Sequence, residues 1–413
     1  MSDRAPVLVV MGTRPEAIKF LPVIRSLSVE PQLRLGVVST GQHREMVEQI
    51  LGPFGVKPDY DLDIMRPDQS LNDIVCGVIP RLEALYKDLA PRLVLVQGDT
   101  TSAFAAGLAA FHRRILVGHV EAGLRSFDRF NPFPEESNRR MLSGVADLHL
   151  AATASAAANL AREGIPSDDV VVTGNTVIDS LLEILKRPDL LEKFRVRDLA
   201  IGPTDPLVLM TLHRRENWMR PPGGGESPLE QVLSAVAAAA AEFPKAKFVY
   251  PVHPNPNVQE PARRILGGRP NVHLLAPLPH LPFVDLLVRA TVVLTDSGGI
   301  QEESPSLGVP VLVARKTTER PEAVDAGYNE LVGTERDEVL AALRRRLERP
   351  SRRPGTPPLP NPYGDGLASD RIRRAILHRL GRGPRPDGFQ PDTGQASESA
   401  SRKGNMVAQG DSA

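Results

Sequence analysis

Short apolar runs alternate with helix-periodic stretches along the first half of the chain. The apolar runs lie at 7–12, 33–40, 93–99 and 115–123. Helices are predicted between them, from about Pro15, from Arg44 and over 101–113. Each run is apolar at nearly every position, which is typical of parallel strands whose two sheet faces are both covered by helices. This half of the chain therefore predicts a doubly wound parallel sheet.

The second half repeats the alternation. Its apolar runs lie within 206–216, 247–256, 272–277, 292–299 and 309–314. The whole pattern predicts an α/β protein of two Rossmann-like doubly wound domains that face each other across a cleft. The predicted parts are an N-terminal domain at 1–178, a C-terminal domain at 179–364, a closing helix at 365–381 and a tail at 382–413. The tail has too few apolar residues to fold and is predicted to be disordered.

Composition and charge restrict the expected partners and compartment. Lys plus Arg (50) equals Asp plus Glu (50), so no net charge favours binding to nucleic acid or to a membrane surface. No apolar segment reaches about 18 residues and the first apolar run is too short for a signal peptide, so a cytoplasmic protein is expected. The single cysteine, Cys76, excludes an internal disulfide and a multi-cysteine metal site. Its apolar neighbours predict that it lies in the core.

Polar residues, with three glycines among them, follow the predicted strands at many points. They are Gly12, Thr13, Arg14, Gln42, His43, Arg44, Asp99, Glu121, His213, Arg214, Arg215, Glu216, His253, Ser297, Gly298 and Gly299. Ligands of open α/β sheets bind beyond the carboxyl ends of the strands. We therefore expect these side chains to form the functional site.

Several of these residues admit two interpretations. Arg14 and Lys19 can clamp an anion or a sugar hydroxyl, or they can be solvated basic residues. Asp99 and Glu121, together with Glu135, can do acid/base work, because converging carboxylates raise each other's pKa. Asp99 can equally be a helix N-cap. His213 suits phosphate contact or proton transfer, or it is a buried histidine bonded to backbone.

The stretch 293–311 combines features that favour different ligands. An apolar strand leads into Ser297-Gly298-Gly299 and then a helix, and a helix N-terminus with free N–H groups binds phosphate. Glu303 follows within the first turns, and a carboxylate repels phosphate but accepts hydrogen bonds from two adjacent hydroxyls. The stretch therefore predicts phosphate binding and leaves open which ligand would also suit a carboxylate.

Many short motifs occur along the chain in the same order as in one enzyme family. They are GTRPEAIK, GQHREM, VQGDTTSAFA, VGHVEAGLRS, PFPEESNRR, TGNTVIDSL, HRRENW, YPVHPNP, LTDSGGIQEESPSLGVPVLV, TTERPEA and NPYGDG. Over about residues 5–380 the chain resembles the non-hydrolysing UDP-N-acetylglucosamine 2-epimerases. The resemblance implies a GT-B fold, a homodimer, and interconversion of UDP-GlcNAc and UDP-ManNAc with no metal and no other cofactor. It also implies elimination of UDP to 2-acetamidoglucal followed by re-addition, which supplies ManNAc units for bacterial surface polysaccharide.

The resemblance implies a role for individual residues. It implies UDP contacts for Arg14, His213, Ser297, Gly298, Gly299 and Arg320. Glu303 is expected on the ribose hydroxyls, so the stretch 293–311 is interpreted as a nucleotide site in which Glu302 is scaffolding. Phe283 is expected in a uracil pocket and Lys19 on the nucleotide sugar. Asp99, Glu121 and Glu135 match the family's acid/base carboxylates, and His213 is predicted to act with them in catalysis.

The match is weaker at a second, activating UDP-GlcNAc site that some family members have. Gln42, Arg214 and His253 match that site, but Glu45 and Asp68 stand where those members have Gln and Arg. Two acidic residues would oppose a diphosphate, so weak or absent activation by UDP-GlcNAc is predicted.

Four other functions share parts of these features. A GT-B glycosyltransferase would have the UDP-binding half, and related epimerases act on UDP-diacetamido uronic acids. A hydrolysing epimerase would release free ManNAc, and a nucleotide-sugar sensor would lack turnover. The set Asp99, Glu121 and Glu135 favours the epimerase over the transferase and the sensor.

Overall fold

A computed structural model describes residues 4–197, 199, 201–202, 204–221, 223–349 and 360–391. The described residues form two compact units. The first lies within Met1–Ala200, Leu278–Val288 and Tyr363–Phe389, and the second within Ile201–Pro277, Arg289–Pro362 and Gln390–Ala413. The two units differ from the predicted domain bounds, because the first unit also includes Leu278–Val288 from the second half of the chain. Asp285 of that segment accepts a hydrogen bond from the backbone N–H of Val196 (3.2 Å).

Each unit contains one parallel sheet among its described residues. The first has seven strands: β1 (Ala5–Met11), β2 (Leu33–Ser39), β3 (Tyr60–Asp61), β4 (Leu93–Gln97), β5 (Leu116–Ala122), β6 (Leu148–Ala151) and β7 (Val170–Val172). The second has six: β8 (Leu207–Thr211), β9 (Lys247–Pro251), β10 (Val272–Leu275), β11 (Val292–Thr295), β12 (Val311–Val313) and β13 (Asn329–Leu331). Their orders are β3-β2-β1-β4-β5-β6-β7 and β10-β9-β8-β11-β12-β13. Both have the Rossmann order, so the two predicted doubly wound sheets are confirmed.

Helices lie between successive strands of the chain, and the last two helices follow β13. They are α1 (Arg14–Ser28), α2 (Arg44–Leu51), α3 (Leu71–Leu89), α4 (Thr101–His112), α5 (Glu135–Ser143), α6 (Ala154–Arg162), α7 (Thr176–Leu185), α8 (Pro188–Lys193), α9 (Arg215–Trp218), α10 (Pro228–Glu242), α11 (Pro256–Leu266), α12 (His280–Arg289), α13 (Gly298–Leu307), α14 (Pro321–Asp325), α15 (Arg336–Glu348) and α16 (Ala368–Arg379). Every residue of β4 is buried, as expected for a strand covered on both faces.

The closing helix α16 belongs to the first unit. Asp179 of α7 accepts hydrogen bonds from the backbone N–H and Oγ of Ser369 (2.7 and 2.8 Å) and so caps the N-terminus of α16. The side chains of α16 join the core around β1, where Ile372 and Ile376 are fully buried. A helix from the end of the chain therefore completes the core of the N-terminal sheet.

The chain continues past α16 along the same unit. Phe389 is 3% exposed, and its backbone N–H donates to the carbonyl of Val172 in the edge strand β7 (2.7 Å). Arg385 donates to the carbonyls of Ser167 and Val170. The predicted start of a disordered tail at 382 thus differs from the structure, because one aromatic side chain and edge-strand hydrogen bonds hold 382–389. The remainder of that tail, 392–413, lies outside the described residues.

The prediction that Cys76 lies in the core is wrong. Cys76 is exposed on α3. The buried face of this helix is formed by Ile74, Val78, Leu82 and Tyr86, which recur every four residues. Cys76 lies two residues from Ile74 and Val78, and positions two apart in a helix do not share a face.

No helix in the described part of the chain combines the length and the apolarity needed to cross a membrane. Within the same residues, no group of three or more His, Cys, Asp or Glu side chains is placed to hold a metal ion.

Candidate functional site

The first unit has its topological switch point between β1 and β4, where ligands of such sheets bind. The carboxylate of Glu16 joins the loops that follow these two strands. It accepts hydrogen bonds from the backbone N–H groups of Gly12 (2.8 Å) and Thr13 (2.7 Å), and from Oγ1 of Thr100 (2.7 Å). Burial raises the pKa of Glu16, and these hydrogen bonds oppose that rise. Glu16 is not among the predicted site residues, although Thr13 and Glu16 have the spacing of a capping box.

Asp99 follows β4 and forms an ion pair with Arg139 of α5. The alternative that Asp99 is an N-cap is wrong, because Thr100 caps α4 by accepting a hydrogen bond from the N–H of Ala103 (3.0 Å). Arg139 is nearly buried and also contacts Glu136 (3.2 Å). Asp99 is therefore free of a capping role and is held by a guanidinium.

Glu135 is the first residue of α5 and is half-buried. Burial raises the pKa of its carboxyl, and the negative charge of Asp99 raises it further. Asp99, by contrast, has the positive charge of Arg139 beside it. The positive charge of Arg139 also opposes the rise of the pKa of Glu135. A carboxyl group with a raised pKa thus lies near an ion-paired carboxylate, and such a group suits acid/base work.

Glu121 lies inside β5 and not beyond its end. Its φ is +65°, and the pairing of β5 with β6 shifts register between Val120 and Ala122. A non-glycine residue in this region costs about 1–3 kcal/mol, and such residues concentrate at functional sites. The carboxylate of Glu121 contacts Nζ of Lys19 and Nε2 of Gln97, and Nδ2 of Asn175 lies 3.4 Å away. The structure therefore brings the predicted residues Lys19 and Glu121 together.

The other predicted residues of the first unit lie near these loops or on α12. Arg14 begins α1. Burial lowers the pKa of His43, and the positive charge of Arg14 lowers it further. Oε1 of Gln42 is buried and has no hydrogen-bond partner among the described residues. Phe283 lies on α12 and belongs to the first unit, whereas the predicted bounds had put it in the C-terminal domain.

The second unit has an equivalent switch point between β8 and β11. Asp296, which follows β11, is fully buried and accepts hydrogen bonds from the backbone N–H groups of His213 and Arg214 (2.9 Å each). The side chain of His213 is 43% exposed, so the alternative of a buried histidine is wrong. Its ring stacks on His253 with 5.7 Å between centroids. Burial lowers the pKa of His253, and the electrostatic effect of the neighbouring His213 lowers it further.

The N-terminus of α13 meets a basic side chain. Ser297 is the N-cap and makes no side-chain cap hydrogen bond. The guanidinium of Arg320 lies over Gly298, where a Cβ would come within 2.8 Å of its Nε. Arg320 is held there by Glu302 and Glu319 (2.6 Å each). A helix N-terminus and a guanidinium on one side form an anion site, and the interpretation of Glu302 as scaffolding agrees with its contact to Arg320.

The comparisons with known proteins identify the family. A family model described as UDP-N-acetylglucosamine 2-epimerase matches residues 25–377. The chain belongs to the UDP-N-acetylglucosamine 2-epimerase family. It is 46% identical over 374 residues to the UDP-N-acetylglucosamine 2-epimerase of Yersinia pestis, covering 90% of this chain and 98% of that protein. The predicted family resemblance and isomerase class are therefore confirmed.

Solved structures support the same fold. The UDP-GlcNAc 2-epimerase of Neisseria meningitidis bound to UDP-GlcNAc is 45% identical, with a TM-score of 0.82 over 90% of this chain and all of that one. The glycotransferase of kitacinnamycin is 14% identical, with a TM-score of 0.53 over 98% of this chain and 99% of that one, which shows the fold alone. The predicted GT-B fold class is confirmed for this epimerase family member.

The sequence-predicted residues of this 2-epimerase thus fall into two groups, one in each unit. Several residues that hold them are not among the predicted ones: Glu16, Gln97, Arg139, Asn175, Asp296 and Glu319. All six lie within the family motifs, which gave the only sequence indication of them. Their roles as orienting partners depend on contacts between residues far apart in the chain.

Proposed function

We propose that this chain is a non-hydrolysing epimerase that interconverts UDP-GlcNAc and UDP-ManNAc. The observation that carries the proposal is the pair formed by Glu135, whose pKa is raised, and Asp99, which is paired with Arg139, next to the switch point of the first sheet. The names of relatives at 46% identity support the substrate. These relatives favour the epimerase over the alternative of a GT-B glycosyltransferase.

The reaction requires an indirect route. The C2–H bond of the sugar is not next to a carbonyl, so direct removal of its proton is very unfavourable. In the proposed route a base takes the C2 proton, the bond between C1 and the UDP oxygen breaks, and 2-acetamidoglucal forms. A proton then returns to the opposite face of C2, and the UDP oxygen bonds to C1 again. Atoms and charges balance, and no metal or nicotinamide takes part.

The second unit is proposed to hold the leaving diphosphate. Ser297, Gly298 and Gly299 offer N–H groups at the positive end of α13, and Arg320 adds a cation over Gly298. Glu303, which is 7% exposed on the same helix, is proposed to contact the ribose hydroxyls. We also propose that Arg14 and His213 contact UDP and that Phe283 contacts uracil.

The first unit is proposed to carry the proton transfers. Glu135 can hold a proton at higher pH than an ordinary carboxyl group, because burial and Asp99 disfavour its charge. Glu121 is paired with Lys19, which supports a role in stabilising positive charge that develops at the sugar. We assign the proton transfers to the set Asp99, Glu121 and Glu135 as a whole, with His213 acting with it. The family resemblance further supports a cytoplasmic homodimer that supplies ManNAc units for surface polysaccharide.

Incubation with UDP-GlcNAc in D2O tests the reaction. We expect UDP-ManNAc to form with deuterium at C2, without any acceptor or cofactor, because the proton taken from C2 exchanges with solvent before it returns. NMR of the sugar protons measures both products and exchange. Free ManNAc plus UDP would instead indicate hydrolysis, and no exchange at all would favour a transferase or a sensor.

Activation by UDP-GlcNAc is expected to be weak. Glu45 and Asp68 are both exposed, and Arg214 is already paired with Glu319 (2.8 Å). A diphosphate beside Glu45 and Asp68 would therefore face two carboxylates, and one beside Arg214 would meet an occupied guanidinium. Initial rates from UDP-ManNAc should be unchanged when traces of UDP-GlcNAc are added. Strict dependence of the rate on UDP-GlcNAc would contradict this prediction.

A further inference from the structure

Three arginines of the second unit converge on the carboxylate of Glu319. Its Oε1 accepts hydrogen bonds from Nη2 of Arg214 (2.8 Å) and Nη1 of Arg320 (2.6 Å). Its Oε2 accepts one from Nη1 of Arg315 (2.5 Å). Burial opposes the charge of Glu319, but the three arginines lower its pKa to about 2. Glu319 is therefore ionised at every pH at which the enzyme would work.

Each arginine has a second partner that fixes the far side of its guanidinium. Arg320 donates to Glu302 (2.6 Å), Arg315 donates to Glu216 (3.0 Å), and Nε of Arg214 donates to the carbonyl of Asp296 (2.9 Å). Arg315 and Arg320 are nearly buried, with side chains 9% and 12% exposed. Glu319, together with Glu216, Glu302 and the carbonyl of Asp296, thus holds the three guanidinium groups in place.

Glu319 accepts a hydrogen bond from the guanidinium group that the proposed phosphate site uses. Arg320 lies over Gly298 at the first turn of α13, and its Nη1 donates to Glu319 (2.6 Å). An N–H that donates to a carboxylate oxygen cannot donate with the same geometry to a phosphate oxygen. A diphosphate at this end of α13 therefore competes with Glu319 for Arg320.

We propose that Glu319 is an internal counter-ion that competes with the diphosphate for Arg320 and so sets how tightly UDP is held. This inference rests on the proposed function, because it takes a UDP-sugar as the ligand of α13. Glu319 is a positioning residue that keeps the arginines oriented when no diphosphate is bound. It also limits the affinity for the UDP moiety, so that the UDP-sugar product can leave after UDP has been added back.

The variant Glu319→Gln tests the competition. Glutamine has nearly the same shape and still offers an oxygen to the arginines, but it carries no charge. We expect the Kd for UDP to fall about tenfold at low ionic strength, with the gain shrinking as salt is added. The KM for UDP-GlcNAc should fall in parallel, more than kcat changes. Isothermal titration calorimetry with UDP and steady-state kinetics measure these quantities.

Two further variants separate charge from shape. Glu319→Asp keeps the charge and should restore the Kd for UDP to near the unmodified value. Glu335→Gln removes an exposed carboxylate of the same unit, at the N-cap of α15, and should leave the Kd unchanged. An equal or weaker affinity of a folded Glu319→Gln variant for UDP would overturn the inference.

A different substitution, at Arg315, tests the inference if Glu319→Gln does not fold. Arg315→Gln removes the arginine that shares Glu319 with the two others, so Glu319 should compete harder and UDP should bind several-fold more weakly. Arg336→Gln, an exposed arginine of α15, is the matched control. Unchanged UDP binding in Arg315→Gln would also overturn the inference. Absence of UDP binding by the unmodified chain would overturn the proposed function itself, and this inference with it.

Discussion

Replacement of Asp99 by Asn is expected to lower turnover about 10²–10⁴-fold, the usual contribution of a positioned acid or base. Asparagine keeps the size and can still accept a hydrogen bond from Arg139, but it cannot take up a proton and it no longer raises the pKa of Glu135 through its charge. UDP binding should persist, because the proposed diphosphate contacts lie largely in the second unit. The exchange of deuterium into C2 should fall together with turnover.

The measurement is kcat for UDP-GlcNAc beside the Kd for UDP. Asp88→Asn, which removes an exposed carboxylate of α3 in the same unit, is the control and should leave both unchanged. The thermal unfolding midpoint is recorded for each variant, since Arg139 is nearly buried and loses a charged partner. Full turnover in folded Asp99→Asn would remove Asp99 from the mechanism.

Gly298→Ala is expected to weaken UDP binding about 10–100-fold with little change in the free energy of unfolding. Alanine suits the first turn of a helix better than glycine does. Its Cβ, however, would lie inside the van der Waals radius of the Arg320 guanidinium, which Glu302 and Glu319 hold in place. Arg320 must therefore move away from the N-terminus of α13, and charge-assisted hydrogen bonds to the diphosphate, each about 1.5–3 kcal/mol, are lost.

Titration calorimetry with UDP and denaturant unfolding together check this prediction. Gly52→Ala is the matched control, because Gly52 has helical dihedral angles and a Cβ there would meet nothing within 4 Å. It should bind UDP as the unmodified chain does. If Gly298→Ala binds UDP equally well, the proposed phosphate contact at Arg320 is incorrect. A loss of folding would instead mean that the Arg320 cluster mainly stabilises the second unit.

The sheets could be predicted closely because their information is local. The apolar run at 7–12 corresponds to β1 (Ala5–Met11), and the run at 93–99 to β4 (Leu93–Gln97). Burial on both faces of a parallel strand requires continuous apolar sequence, so each strand is visible on its own. The same local rule failed for Cys76, because an apolar neighbourhood on an amphipathic helix does not say which face a residue occupies.

The candidate site could be predicted only in part. The rule that ligands bind at strand ends identified residues that follow a strand, such as Asp99 and His213. It could not identify their partners, because Arg139 lies 40 residues from Asp99 and Asp296 lies 83 residues from His213. Glu121 was predicted at a strand end, yet it lies within β5 and reaches its position through a left-handed backbone conformation.

The sequence by itself determined the fold class, the two parallel sheets, the family motifs and the identity of the candidate residues. Each of these depends on residue type and on spacing along the chain. Only the tertiary structure decided that Glu16 joins two loops, that Lys19 pairs with Glu121 and that Glu319 holds three arginines. These contacts join residues that the chain separates and the packing of strands and helices brings together, so charge and hydrogen bonding at the site follow from the fold and not from any local pattern.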